Sequence, residues 1–110
     1  MPVRSVRRRY LWTHIESEQK LNDNTLNRLI EAKIHFLYGV NGAVEMNYKL
    51  IEYLPDDHDA IIRCNHNRLN EMRATLASIN MVDEKPCRID VKIVSGTIKS
   101  LKNHFHPSHI

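Results

Sequence analysis

The side chains able to do chemistry in this sequence offer a metal site, an acid–base site, a thiol nucleophile or a phosphate-binding surface. His104, His106 and His109 in "HFHPSHI" are spaced to chelate a divalent ion, but a flexible tail holds ligands poorly. His58 and His66 flank a short apolar run and suit a turn and a cap. His14 and His35 fall inside predicted elements as surface or hydrogen-bonded residues. The adjacent carboxylates Asp56 and Asp57, and Asp83 and Glu84, lie in predicted turns, where such side chains stabilise the backbone. Cys64 has Arg63 and His66 nearby, and cations lower a thiol pKa. The alternation of Ala60, Ile62 and Cys64 nevertheless turns its sulfur toward the core. Cys64 and Cys87 form no Cys-x-x-Cys pair, so two reduced, buried thiols are expected rather than a zinc site or a disulfide. No catalytic set assembles from these residues, and no metal site or cofactor is expected in this chain.

The fourth chemistry has a stronger signal. Residues 1–15 and 91–110 carry Arg4, Arg7, Arg8, Arg9, Lys92, Lys99 and Lys102 and no carboxylate, whereas the stretch between them is net acidic. The overall charge of +3 and pI near 9.0 conceal this division. Basic ends on an acidic middle point to a polyanionic partner, or else to two solvated tails.

These residues need a scaffold to bring them together. A chain of 110 residues that is 42% apolar supports one domain, residues 1–110, with a basic arm over 1–9 and a flexible tail over 104–110. No run approaches the ~18 apolar residues of a membrane span, and the Arg-rich start lacks a secretory apolar segment, so a soluble, cytoplasmic protein with no membrane partner is expected. "RRRYLWTHIE" reads as a strand. "NDNTLNRLIEAKIHFLYG" reads as a helix with Asn and Asp as N-caps, Leu26, Leu29, Ile30, Ile34 and Leu37 on one face, and Gly39 as its stop. Residues 43–54 alternate as a strand, "PDDH" turns, and "AIIRCN" returns as a second strand. Asn65 or Asn67 caps a second helix bearing Leu69, Met72, Leu76 and Ile79. In the last strand Cys87, Ile89, Val91 and Ile93 face one way, before Gly96 and a short helix capped by Thr97.

The order is βαββαβ plus a C-terminal helix, an α+β, ferredoxin-like or RRM-like split βαβ sandwich. Its strand order, 4-1-3-2, places the start of the first strand beside the ends of the third and fourth. An anion-binding edge is therefore expected from Arg7, Arg8, Arg9, Arg63, Arg68, Lys99 and Lys102, helped by the N-terminus of the second helix. The other sheet face carries Tyr10, Trp12, Ile51, Tyr53 and Ile61. A full base-stacking platform is absent from it, and cover by the terminal helix or by a protein partner suits it better.

The segments "RRRYLWTHIESE", "GAVEMNYKLIEY", "AIIRCNH", "RATLASIN" and "KPCRIDVKIVSGTIKSLK" resemble, in order over residues 7–102, the small protein subunit of archaeal and eukaryotic ribonuclease P, the protein component 2 family. The Asp59-Ala60 pair departs from the glycine common there. The resemblance implies a subunit of the ribonucleoprotein endonuclease that removes the 5′ leader of precursor tRNA. It implies catalysis by the RNA, Mg2+ for that RNA, and as partners ribonuclease P RNA, precursor tRNA and protein component 3, with a homodimer or heterotetramer as possible assemblies. An independent RRM-like RNA-binding domain is the alternative. An acylphosphatase using an Arg and an Asn is a weaker one, because residues 16–26 lack its glycine-rich cradle.

Overall fold

In the computed structural model, residues 7–18 and 20–104 are described, except for the side chain of His104. Most of the N-terminal arm, His106 and His109 lie outside these residues. The strands and helices are β1 (Arg8–Ser17), α1 (Asp23–Met46), β2 (Lys49–Leu54), β3 (Asp59–Asn65), α2 (Leu69–Ser78), β4 (Met81–Val82), β5 (Lys85–Ser95) and α3 (Ile98–His104), with a 3-10 turn, His66–Arg68, leading into α2. The sheet order is β2-β3-β1-β5-β4. That is the expected ferredoxin-like arrangement, extended by the short strand β4 at one edge. Asp83 and Glu84 join β4 to β5 with φ of 50° and 66°, the left-handed pair that a two-residue hairpin requires.

Period-two alternation in β1 divides the apolar residues between two cores. Leu11 and Ile15 enter the larger one with Leu26, Ile30 and Ile34 of α1 and Met72 and Leu76 of α2. Trp12 faces the other way and forms a smaller core with Ile61 and with Leu101 of α3. Thr13 is fully buried and donates its hydroxyl hydrogen to the Ala60 carbonyl at 3.0 Å. No buried hydroxyl is wasted there.

Three segments differ from the sequence expectation. Gly39 interrupts α1 but does not end it, and residues 43–46 are helical rather than the start of β2. The alternation of Val44 and Met46 with polar neighbours mimicked a strand. In fact Met46 is 1% exposed beneath a helix that ends at Asn47, a left-handed cap whose N–H donates to Ala43 O. Leu37 is 41% exposed, and Tyr38 packs on the core in its place.

Gly39 has φ 74° and ψ −173°, where a side chain is strained, although a Cβ there would touch nothing. Gly39→Ala is therefore expected to cost about 1–3 kcal/mol, read as a lower urea midpoint at unchanged m-value.

β5 provides the second difference. A bulge opposite Trp12/Thr13 pairs Trp12 with Ile93 and Thr13 with Val91, skipping Lys92. One extra residue swaps the faces beyond it. Ile93 thus joins Trp12 in the smaller core, while Val94 reaches the larger one. β2 is irregular between Leu50 and Glu52, so Leu50 and Tyr53 both face the larger core and Ile51 and Leu54 the smaller.

Candidate nucleic-acid interface

Antiparallel pairing on both sides of β1 brings the chain's distant basic residues together. Arg8 lies opposite Asn65, Arg9 opposite Cys64, and Tyr10 opposite both Arg63 and Ser95. The Arg7 carbonyl accepts from the His66 backbone N–H at 2.9 Å, tying the start of β1 to the entrance of α2. Arg9 Nη1 lies 3.5 Å from where a Cβ on Gly96 would stand, so the arginine run abuts the Ser-Gly-Thr segment. Thr97 Oγ1 accepts from the Ser100 N–H at 3.1 Å and caps α3, on which Lys99 is exposed. Arg7, Arg8, Arg9, Arg63 and Lys99 thus gather at one end of the sheet.

The other two cations are engaged by carboxylates. Arg68 donates to Glu45 and, at 3.3 Å, to Glu71, and the Glu45 contact raises its already high pKa. With two carboxylates on one guanidinium, that corner adds no net positive field. Lys102 pairs with Glu52 at 3.1 Å and fastens α3 to β2. All three pairs lie at the surface, where solvent and salt screen them, so a polyanion can compete for them at little cost.

The chain enters α2 through the His66–Arg68 turn, and α2 itself begins after Arg68 with no side-chain cap. Asn65 makes no side-chain cap; its Nδ2 donates to Glu45 O at 2.8 Å and its Oδ1 accepts from Asn47 Nδ2. The His66 amide is occupied by Arg7.

Of the predicted apolar surface, Trp12 and Ile61 are buried beneath α3, with Tyr10 and Ile51 half-buried beside them. The covering element is the chain's own helix. Tyr53 does not belong to this surface, because the irregularity in β2 turns it to the opposite core. One basic residue was missed. Lys49 is exposed and lies opposite Arg63, and its polar position between Tyr48 and Leu50 was the signal.

The remaining candidates take quieter roles. His14 Nδ1 bonds Asp59 Oδ1 at 2.8 Å, and His58 sits in the β2–β3 turn with φ 59°. His35 bonds the Glu31 carbonyl, and Asp56 holds Lys20 at 2.7 Å. Burial pushes the Cys64 thiol up to about 11 against the opposing pull of Arg9, so it stays protonated and non-nucleophilic near neutrality. Among the described residues no group of His, Cys, Asp and Glu could hold a metal ion, and no helix is long and apolar enough to cross a membrane.

The model of the Rpp14/Pop5 family matches residues 9–106. This chain belongs to the Rpp14/Pop5 family. The matched span of the Rpp14/Pop5 chain takes in Arg9, Arg63, Arg68, Lys99 and Lys102, while Arg7 and Arg8 precede it. It is similar to ribonuclease P protein component 2 of Methanocaldococcus jannaschii, 30% identical over 104 residues, 94% of this chain and 76% of that one. It is also similar to the Halorubrum lacusprofundi protein of the same name, 28% identical over 71 residues; the match covers 63% of this chain and only 45% of that relative. In fold, the Rpp14/Pop5 chain matches one in the cryo-EM structure of yeast ribonuclease MRP with a TM-score of 0.66 at 16% identity, covering 87% of this chain and 79% of that one.

Proposed function

We propose that this Rpp14/Pop5 chain is a protein subunit of ribonuclease P, the ribonucleoprotein endoribonuclease that removes the 5′ leader of precursor tRNA. It grips the phosphate backbone of the RNA with the basic end of its sheet and leaves cleavage to the RNA, for which Mg2+ is the expected ion. Protein component 3 is the expected protein partner. The observation that carries this reading is the meeting of Arg7, Arg8, Arg9 and Arg63 beside Ser95 and Gly96. Four guanidinium groups at one strand end form a backbone-directed surface that reads shape rather than base edges.

Single-strand reading by aromatic stacking is disfavoured, because Trp12 is only 5% exposed and α3 lies over it. A buried indole offers no face to a base.

The test is precursor-tRNA cleavage reconstituted from the cognate RNA and partner protein, with and without this chain. The chain alone is expected to cleave nothing, and its addition is expected to stimulate the RNA. Unchanged cleavage in an otherwise active mixture would overturn the proposal.

A further inference from the structure

The cations at the basic end are not equivalent, and the difference lies in which of them already has a partner. Arg68 and Lys102 are held by carboxylates, as are Arg88, by Glu16 and Asp90, and Lys20, by Asp56. Arg63 is different. It stands in a central strand whose neighbours Ile61, Ile62 and Cys64 are at most 1% exposed, yet it makes no ion pair among the described residues. Its Nε is sealed from solvent with no hydrogen-bond partner among the described residues. A buried guanidinium nitrogen without an acceptor is uncommon, because its lost hydration goes uncompensated.

Its surroundings indicate what acceptor would fit. Residues directly opposite in an antiparallel sheet share a face. The pairs Lys49–Arg63, Arg63–Tyr10 and Tyr10–Ser95 therefore set these four side by side across the α3 face of the sheet. Arg8 lies two residues before Tyr10 on the same face and is exposed, as is Lys49. This row holds no carboxylate. Arg9, one residue out of phase, lies on the opposite face beside Cys64 and Gly96. The basic end thus has two sides, and among the described residues one of them holds a guanidinium with an unpartnered Nε, flanked by Arg8 and Lys49, neither of which makes an ion pair.

We infer that Arg63 is the seat of one particular phosphodiester, bound on the α3 side of the sheet, with Arg8 and Lys49 taking the neighbouring phosphates of the same RNA strand. This rests on the RNA-binding reading above and narrows it from a diffuse edge to a track running from Lys49 past Arg63 to Arg8. With Nε sealed, the phosphate is met by the outer Nη edge of the half-buried guanidinium, a planar fork onto two phosphate oxygens that a Lys ammonium does not reproduce. Three cations in a row suit a repeating polyanion better than an isolated carboxylate.

The wild-type full-length chain can report on the seat directly, through the NMR resonance of the Arg63 Nε–Hε group, assigned by its loss in Arg63→Lys. Titration with cognate ribonuclease P RNA is expected to shift this resonance as phosphate engages the same guanidinium. Inorganic phosphate at the same phosphate concentration is expected to leave it in place. In filter binding, Arg63→Gln is expected to weaken RNA about ten-fold and to reduce the salt slope by one contact, with Arg63→Lys recovering only part of the affinity.

If RNA binding is lost on replacing Arg7, Arg8 and Arg9 but the Arg63 resonance does not move and Arg63→Gln binds normally, the seat is wrong while the RNA surface stands. If neither set of changes weakens binding, both fail. A shift produced equally by inorganic phosphate, or by protein component 3 without RNA, would assign Arg63 to a free anion or to a partner carboxylate and overturn the inference.

Discussion

Replacing Arg7, Arg8, Arg9 and Lys99 together with Ala is expected to abolish stimulation of precursor-tRNA cleavage at physiological salt and to leave the protein folded. All four side chains lie at one end of the sheet, Arg7, Arg8 and Lys99 are exposed, and none is bound by a carboxylate among the described residues. None of the four is an apolar member of either core, and Arg9 is the one half-buried among them. Each phosphate contact contributes a slope of about −0.9 in log K against log salt on duplex-like backbone, so losing four should flatten the dependence by roughly three to four. The measurement is RNA affinity from low to physiological salt, alongside the cleavage assay. The variant should approach wild type at high salt, where counterion release no longer favours binding. Full stimulation by the quadruple variant would place the RNA on another surface. Arg68→Ala serves as the contrast, since Glu45 and Glu71 already neutralise it, and a much smaller loss is expected.

Trp12→Ala is expected to be the most damaging single substitution to stability, at about 3–5 kcal/mol. The indole is 5% exposed between Ile61 at 1% and Leu101 at 0%, so truncation leaves a cavity under α3 that a seven-residue helix cannot refill. Against a total of about 5–15 kcal/mol for a domain of this size, that is a third or more of the margin. Chemical denaturation measures it, with Leu101→Ala, at about 2–5 kcal/mol, as the matching loss from the other side of the same core. RNA affinity per folded molecule should not change in Trp12→Ala. A variant that keeps its stability and loses RNA would instead make Trp12 a base-stacking residue.

The two outcomes separate the faces of the chain's work. The first reads charge at the sheet end, and the second reads packing beneath α3. In an open RRM-like sheet the same Trp would serve both.

Much of this protein is determined locally. The Asn22 cap, whose Oδ1 accepts from Thr25 N at 2.7 Å, the periodic Leu26, Ile30 and Ile34, and the alternation of Leu11, Trp12 and Ile15 are readable because helix and strand periods are properties of neighbours in sequence. The βαββαβ order follows from them, and topology then predicts that Arg7 to Arg9 meet Arg63 and the Ser-Gly-Thr segment. Only the tertiary structure decided the rest. The bulge at Lys92 and the irregularity after Leu50 exchanged the faces of Ile93 and Tyr53, since one inserted residue shifts a period-two pattern without any mark in composition. Gly39 bent α1 without ending it, because packing of Met46 on the core holds the last helical turns in place. Which cations are free was equally invisible in the sequence. Arg68 and Arg63 are the same residue type, but one folds against Glu45 and Glu71, while the other stands in a central strand and meets no carboxylate among the described residues. Charge pairing depends on distances across the fold, which spacing along the chain does not encode.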